Sequence, residues 1–122
     1  MAKRKETSTY SINEEIIHND CDLIYALDKL GGRWKLYILS KLHNRKMRYK
    51  ELKKEIHPIT ERMLTLQLKN LEEDGLVKRT VYAEVPPRVE YELTSMACSL
   101  VPLWDALKSW GGDHKKMFQD KL

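Results

Sequence analysis

The chain has 122 residues, of which 42% are hydrophobic and 33% charged, and its formal net charge at pH 7 is +4. This length predicts one domain with its own core, and the apolar stretches are too short and too often interrupted by Lys and Glu to cross a bilayer. The basic start of the chain has no apolar segment after it, so we expect no secretory signal, no membrane association and a cytoplasmic location. Two cysteines, Cys21 and Cys98, are too few for a disulfide framework.

The first part of the chain predicts two helices. A Ser-x-x-Glu capping box predicts a short helix over residues 12–18. Leucines and an alanine at helical spacing predict a second helix over residues 22–30. Gly31 and Gly32 are expected to end it, because glycine adopts the left-handed cap conformation at little cost.

Two further short helices are predicted on either side of a basic connector. One runs over residues 33–42 and the other over residues 49–56, each with apolar side chains on one face. The connector, residues 45–48, is a candidate for a short first strand. Pro58 ends the later helix, because the residue before a proline avoids helical geometry.

The next predicted helix begins at Thr60, whose hydroxyl can cap it, and ends at Gly75. At about 100° per residue, three leucines share one face and form a core stripe. These leucines are Leu64, Leu68 and Leu71. The opposite face carries Arg62, Leu66, Lys69 and Glu73, with Thr65 at its edge.

The remaining chain predicts a hairpin and a long helix. Residues 76–83 and 88–93 are rich in Val and Tyr and predict two strands, joined by a loop in which Pro86 and Pro87 fix φ and stiffen the tip. A helix is expected over residues 95–118, weakened at its Gly-Gly pair.

Apolar residues cover more than half of the circumference of this last helix. Such a helix in a small domain usually packs on two partners, so we expect one to be its own core and the other a second subunit. Burial in a monomer is the alternative. The apolar residues are Leu100, Val101, Leu103, Trp104, Leu107 and Trp110.

Basic residues crowd one stretch of the chain, in which Glu51 is the one acid. A helix followed by a basic-flanked hairpin is the layout of a winged helix-turn-helix. We therefore predict a mainly α fold with a small β-hairpin wing that binds double-stranded DNA. The basic residues are Lys29, Arg33, Lys35, Lys41, Arg45, Lys46, Arg48, Lys50, Lys53 and Lys54.

The helix that begins at Thr60 is the candidate recognition helix, since the major groove, about 12 Å wide, accepts one α-helix. Arg62 matches guanine O6 and N7, and Glu61 or Thr65 could read cytosine or adenine edges. Lys69 is placed for a phosphate. Leu66 could touch a thymine methyl or pack on a neighbouring helix. An ordinary amphipathic helix with a solvated outer face is the alternative.

Phosphate contacts are expected at helix N-termini and on the wing, where they supply affinity without sequence information. Some of these residues will simply be solvated. The candidates are Arg33, Lys35, Arg48, Tyr49 and Lys50 at the starts of helices, and Arg79 and Arg88 on the wing.

Catalytic and metal-binding patterns are absent from the sequence. The histidines are scattered, and there is no Gly-rich phosphate loop, His-Glu-x-x-His motif or nucleophile elbow. His18 and Cys21 could share a helix face, but a structural zinc normally needs four ligands. We expect no enzymatic activity, no metal site and no cofactor.

Two stretches, residues 21–39 and 62–94, closely resemble the HxlR family of bacterial and archaeal winged-helix transcriptional regulators, which is related to the MarR group. The resemblance covers about three quarters of the chain, from Cys21 to Gly112. Its most specific parts are Gly31-Gly32-Arg33-Trp34-Lys35, Leu71-Glu72-Glu73-Asp74-Gly75-Leu76 and Pro86-Pro87-Arg88-Val89-Glu90-Tyr91.

The resemblance implies a homodimer held by the first and last helices, acting as a repressor or activator on a pseudo-palindromic operator. It divides the chain into an N-terminal extension (residues 1–20), a winged-helix domain (residues 21–112) and the end of the dimerisation helix (residues 113–122). Some members sense oxidants or electrophiles through a cysteine at the position of Cys21. Asp20 and Asp22 disfavour a thiolate there, whereas a helix N-terminus favours it, so sensing and an inert thiol both stay open.

Two other functions stay open as well. One is a regulator gated by a small ligand bound in the dimer interface. The other is a protein-interaction module that keeps the winged fold without specific DNA binding.

Overall fold

The computed structural model describes residues 21–119. The chain divides into two compact units, Met1–Gly32 and Arg33–Leu122. In the first unit, α1 spans Asp22–Leu30, as predicted, and Gly32 has a φ of +93°, which confirms that the glycine pair ends the helix. The short helix predicted over residues 12–18 lies outside the described residues.

The second unit is mainly helical with a three-stranded antiparallel sheet in the order β1-β3-β2. It has the predicted architecture of a winged helix-turn-helix. Its elements in chain order are α2 (Lys35–Lys41), β1 (Met47–Arg48), α3 (Tyr49–Glu55), α4 (Glu61–Glu73), β2 (Val77–Tyr82), β3 (Arg88–Leu93), α5 (Ser95–Cys98) and α6 (Val101–Gln119).

Helix α4 is built on the predicted leucine stripe. Leu64, Leu68 and Leu71 are buried, with 0%, 2% and 0% of their surface exposed. The Thr60 hydroxyl accepts a hydrogen bond from the backbone N–H of Met63 at 3.1 Å, which confirms the predicted N-cap. The cap and the stripe together fix the rotation of α4 about its own axis, and therefore fix which side chains face outward.

The end of α4 is closed by a Schellman motif. The N–H of Leu76 bonds the carbonyl of Leu71 at 2.9 Å, and the N–H of Gly75 bonds that of Glu72 at 3.1 Å. Gly75 has a φ of +72°, where glycine is favoured. The Thr94 hydroxyl donates to the Gly75 carbonyl at 2.6 Å, so this turn is tied to the end of β3.

The hairpin of β2 and β3 forms the wing. Tyr82 pairs with Arg88 next to the connecting loop, and Val77 pairs with Leu93 at the far end. Side chains alternate between the faces of a strand, and Arg79 is three residues from Tyr82, so Arg79 and Arg88 lie on opposite faces of the hairpin.

The last predicted helix is two helices in the structure. The break falls between α5 and α6, whereas α6 continues through Gly111 and Gly112, so the predicted weak point was wrong. Pro102 explains the break, because a continuous helix would need its missing N–H and would press its ring on the carbonyl of Cys98. Within residues 21–119, no helix combines the length and the apolar character needed to span a membrane.

Candidate nucleic-acid interface

The outward face of α4 carries every residue predicted there. Glu61, Arg62, Thr65, Leu66 and Lys69 are all exposed. Leu66 is the apolar member of this face, with 48% of its surface exposed. The C-terminal end of the helix carries exposed acids that would repel phosphate, so the N-terminal half is the part suited to DNA. These acids are Glu72, Glu73 and Asp74.

Tyr49, predicted as a phosphate contact, ties α3 to the first turns of α4. Its hydroxyl lies 2.9 Å from the carbonyl oxygen of Glu61 and 3.1 Å from Thr65 Oγ1. A carbonyl only accepts, so the Tyr49 proton goes to Glu61 and the Thr65 hydroxyl donates to Tyr49. No pattern in the sequence predicts this pairing, which positions α4, the candidate recognition helix, against α3.

The predicted cations at the starts of α2 and α3 differ in their surroundings. Arg48 and Lys50 are exposed on either side of the first residue of α3, and the Arg48 N–H donates to Glu51 Oε1 at 2.9 Å. Lys35 opens α2 and is half-buried. The Arg33 guanidinium lies 5.7 Å from the centre of the Trp34 ring, within cation–π distance.

Two cations of the connector before α3 have internal partners. Arg45 forms an ion pair with Glu55 and donates from Nε to the carbonyl of Lys41 at 2.9 Å, so it links the end of α2 to α3. Lys46 Nζ lies 3.3 Å from Glu92 Oε2. The hydrogen bond and the charge of that carboxylate raise the pKa of Lys46 above its ordinary value. Both cations are therefore partly neutralised by neighbouring acids.

Arg88 is held at the loop end of the wing. Its guanidinium carbon lies 4.1 Å from the centre of the Tyr82 ring, and Nη2 lies 3.3 Å from Glu84 Oε1. Nε lies 3.6 Å from Glu90 Oε1, too far for a hydrogen bond, and is buried without another partner. The side chain is 30% exposed. Two carboxylates and a ring thus surround a residue predicted to bind phosphate.

From Arg48 onward, five exposed cations among the predicted DNA contacts form no ion pair with any residue in the range 21–119, and we call these five the unpaired cations. They lie at the start of α3, on the outer face of α4 and on β2. The unpaired cations are Arg48, Lys50, Arg62, Lys69 and Arg79.

Both cysteines are exposed free thiols. Cys21 occupies the N-cap position of α1, and Cys98 is the last residue of α5. The described part of the chain contains no group of three or more His, Cys, Asp or Glu residues that could hold a metal ion.

Most of the chain is similar in sequence to HTH-type transcriptional regulators. An uncharacterized HTH-type transcriptional regulator of Methanothermobacter thermautotrophicus is 44% identical over 104 residues, covering 83% of this chain and 79% of the relative. The HTH-type regulator YdeP of Bacillus subtilis is 42% identical over 122 residues, covering 100% of this chain and 92% of the relative.

A solved structure is also similar. The redox regulator HypR in its reduced form matches with a TM-score of 0.77 and 39% identity, covering 82% of this chain and 99% of that one. The model of the HxlR-like helix-turn-helix family matches residues 29–119. The chain therefore belongs to the HxlR-like helix-turn-helix family of transcriptional regulators, as its sequence motifs predicted.

Proposed function

We propose that this regulator binds a pseudo-palindromic DNA operator as a homodimer, with α4 in the major groove and the hairpin beside it. The observation that carries the proposal is the set of unpaired cations, because these exposed charges at the start of α3, on α4 and on the wing have no counter-charge within residues 21–119. A phosphate backbone supplies the missing counter-charges and releases its condensed cations on binding.

The proposed contacts divide into reading and positioning roles. Arg62 reads a guanine through its planar fork, and Glu61 reads a cytosine or adenine edge. Arg48, Lys50 and Lys69 bind phosphates. We propose further phosphate contacts at Arg33 and Lys35 at the start of α2, at Tyr49 on α3 and at Arg79 on the wing. Arg88 was predicted to be another, but two carboxylates already balance its charge, and we propose that it supports the hairpin instead.

Helix α6 supports the homodimer. Trp104 is buried, with 8% of its surface exposed, so one face of the helix serves the core. Leu103, Leu107, Trp110 and Met117 are 42%, 47%, 65% and 60% exposed. With His114 they follow the 4-3-4-3 spacing of a helix–helix seam. We propose that a second copy of the chain covers this seam. The first helix of the domain is the other element proposed to contact the second copy.

A redox response through Cys21 is proposed from its position and from the likeness to HypR, a redox regulator. Cys21 is an exposed thiol at the N-cap of α1, where an oxidant can reach it. Oxidation of an exposed cysteine by a peroxide gives a sulfenic acid that can condense with another thiol to a disulfide, with loss of water.

A second candidate is a regulator gated by a small ligand. A groove of about 620 Å³ lies between α2 and α6, within the size range of small-molecule sites. Its lining includes Tyr37, Trp104 and Leu107. Saturable quenching of tryptophan fluorescence by a ligand that also releases DNA would favour this candidate over a thiol response.

The proposal is tested by selecting bound sites from random duplexes under reducing conditions and then under oxidising conditions. We expect an enriched inverted repeat whose half-sites lie about one duplex turn apart. Enrichment of no sequence, with equal binding of selected and scrambled duplexes, would refute it and favour a protein-interaction module.

The redox part has its own control. Mild oxidation should release the selected duplex from the native chain but not from Cys21→Ser. Cys98→Ser is the matched control, because it removes the other exposed thiol. Release that persists in Cys21→Ser would remove Cys21 from the mechanism while leaving DNA binding intact.

A further inference from the structure

We infer that Leu66 is a specificity-determining residue that contacts the 5-methyl group of a thymine in the operator. The inference rests on the proposed function and names a base that each half-site must contain. Leu66 is 48% exposed in the middle of α4, whereas Leu64 and Leu68 on the opposite side are buried. Its side chain therefore serves an outward contact rather than the core.

The residues around Leu66 indicate what covers it. Arg62 lies about one helical turn before it and Lys69 nearly one turn after it, and both are unpaired cations. A protein surface closing over Leu66 would have to desolvate both charges. In duplex DNA, phosphates can balance both charges while a base edge contacts the leucine. Charge complementarity therefore favours duplex DNA as the partner.

Thymine is the base whose major-groove edge offers an apolar group. The other atoms there are hydrogen-bond donors and acceptors, which leucine would leave without a partner. Thr65 also carries a methyl group, but its hydroxyl is bonded to the Tyr49 hydroxyl at 3.1 Å, which ties it to α3. Leu66 is thus the apolar side chain on the N-terminal half of the outward face that is open to a base.

The helix geometry sets where the thymine lies. Arg62 and Leu66 are four residues apart, which is about 6 Å along the helix axis. Base pairs follow one another every 3.4 Å or so along the duplex. The thymine contacted by Leu66 should therefore fall within about two base pairs of the guanine proposed for Arg62.

The experiment uses the full chain and a duplex selected from a random library. Each thymine in turn is replaced by uracil, which removes only the 5-methyl group. We expect one position in each half-site at which affinity falls about fourfold, the effect of removing one buried methyl-sized group. Leu66→Ala should bind the thymine and uracil duplexes equally.

Two further variants keep the test specific. Arg62→Ala should weaken binding but keep the difference between thymine and uracil, because the methyl contact stays. Leu66→Met keeps an apolar side chain of similar volume and should keep part of that difference. Circular dichroism establishes that each variant is folded.

The outcomes separate this inference from the proposed function. If the native chain prefers the selected over the scrambled duplex but tolerates uracil everywhere, the thymine contact is wrong and the DNA-binding function stands. The thymine contact is equally wrong if Leu66→Ala keeps the full uracil penalty. If selected and scrambled duplexes bind equally, the proposed function fails and the inference fails with it.

Discussion

Neutralising Arg79 should change the salt dependence of operator binding much more than neutralising Arg88. Arg79 is exposed on β2 and has no ion pair within the described residues, so its charge is open to a phosphate. Arg88 lies within 3.6 Å of Glu90 and 3.3 Å of Glu84, which already balance its charge. Arg79→Gln and Arg88→Gln remove the same charge from the same hairpin and differ in these neighbours, so each is the control for the other.

The expected magnitude follows from counterion release. Each phosphate contact contributes about 0.9 to the slope of log affinity against log salt concentration. A homodimer presents two copies of Arg79, so Arg79→Gln should make the slope shallower by about 1.8. Between about 50 and 200 mM salt, the variant should then lose about twelvefold less affinity than the native chain.

Arg88→Gln should instead lower affinity by a similar factor at each salt concentration. Its guanidinium joins Tyr82, Glu84 and Glu90 at the loop end of the wing, so removing it loosens the hairpin without removing a phosphate contact. Fluorescence anisotropy with a labelled, selected duplex gives both slopes. If both variants change the slope of log affinity against log salt concentration equally, Arg88 leaves its carboxylates to bind phosphate. If Arg79→Gln leaves that slope unchanged, β2 lies away from the DNA backbone.

Three other substitutions test the recognition helix and the dimer. Arg62→Ala should weaken the selected operator by about 1–3 kcal/mol in the same titration, with scrambled duplex nearly unaffected; a uniform loss would make Arg62 a phosphate contact. Thr60→Ala should lower the free energy of unfolding in urea by about 1 kcal/mol and Thr60→Ser by much less, because the serine keeps the N-cap acceptor; equal losses would argue against the cap. Leu107→Glu should convert the dimer to a monomer, as measured by analytical sedimentation. Ser109→Glu, roughly half a turn away on α6, should leave the dimer intact. A dimer that survives Leu107→Glu would place the interface elsewhere.

The recognition helix could be predicted closely from sequence because local patterns determine it. The leucine stripe, the Thr60 cap and the Gly75 terminus each depend on residues within a few positions, and the structure has all three. Its outward face follows from the same periodicity, since the residues that do not face the core must face outward. Arg62, Leu66 and Lys69 were therefore correctly predicted on the exposed side.

The pairing of charges could not be predicted, because it depends on contacts between distant parts of the chain. Lys46 meets Glu92 only because β1 pairs with β3, and Tyr49 meets Glu61 only because α3 packs on α4. The helix break, by contrast, has a local signal. Pro102 marks it more strongly than the Gly-Gly pair does, because proline removes a donor whereas glycine only lowers helix propensity.

These pairings change how many phosphates the protein can hold. The basic run counted from sequence treats Arg45 and Lys46 as equal to Arg48 and Lys50, although the first two have carboxylate partners and the second two have none within the described residues. If Arg62 reads a base and only the other unpaired cations bind the DNA backbone, four per subunit contact it, which means about eight phosphates per dimer and a salt slope near −7. A much steeper slope would mean that other cations bind phosphate as well. These are either Arg33 and Lys35 at the start of α2, or paired cations such as Arg45 and Lys46 that exchange their carboxylates for phosphate when DNA binds.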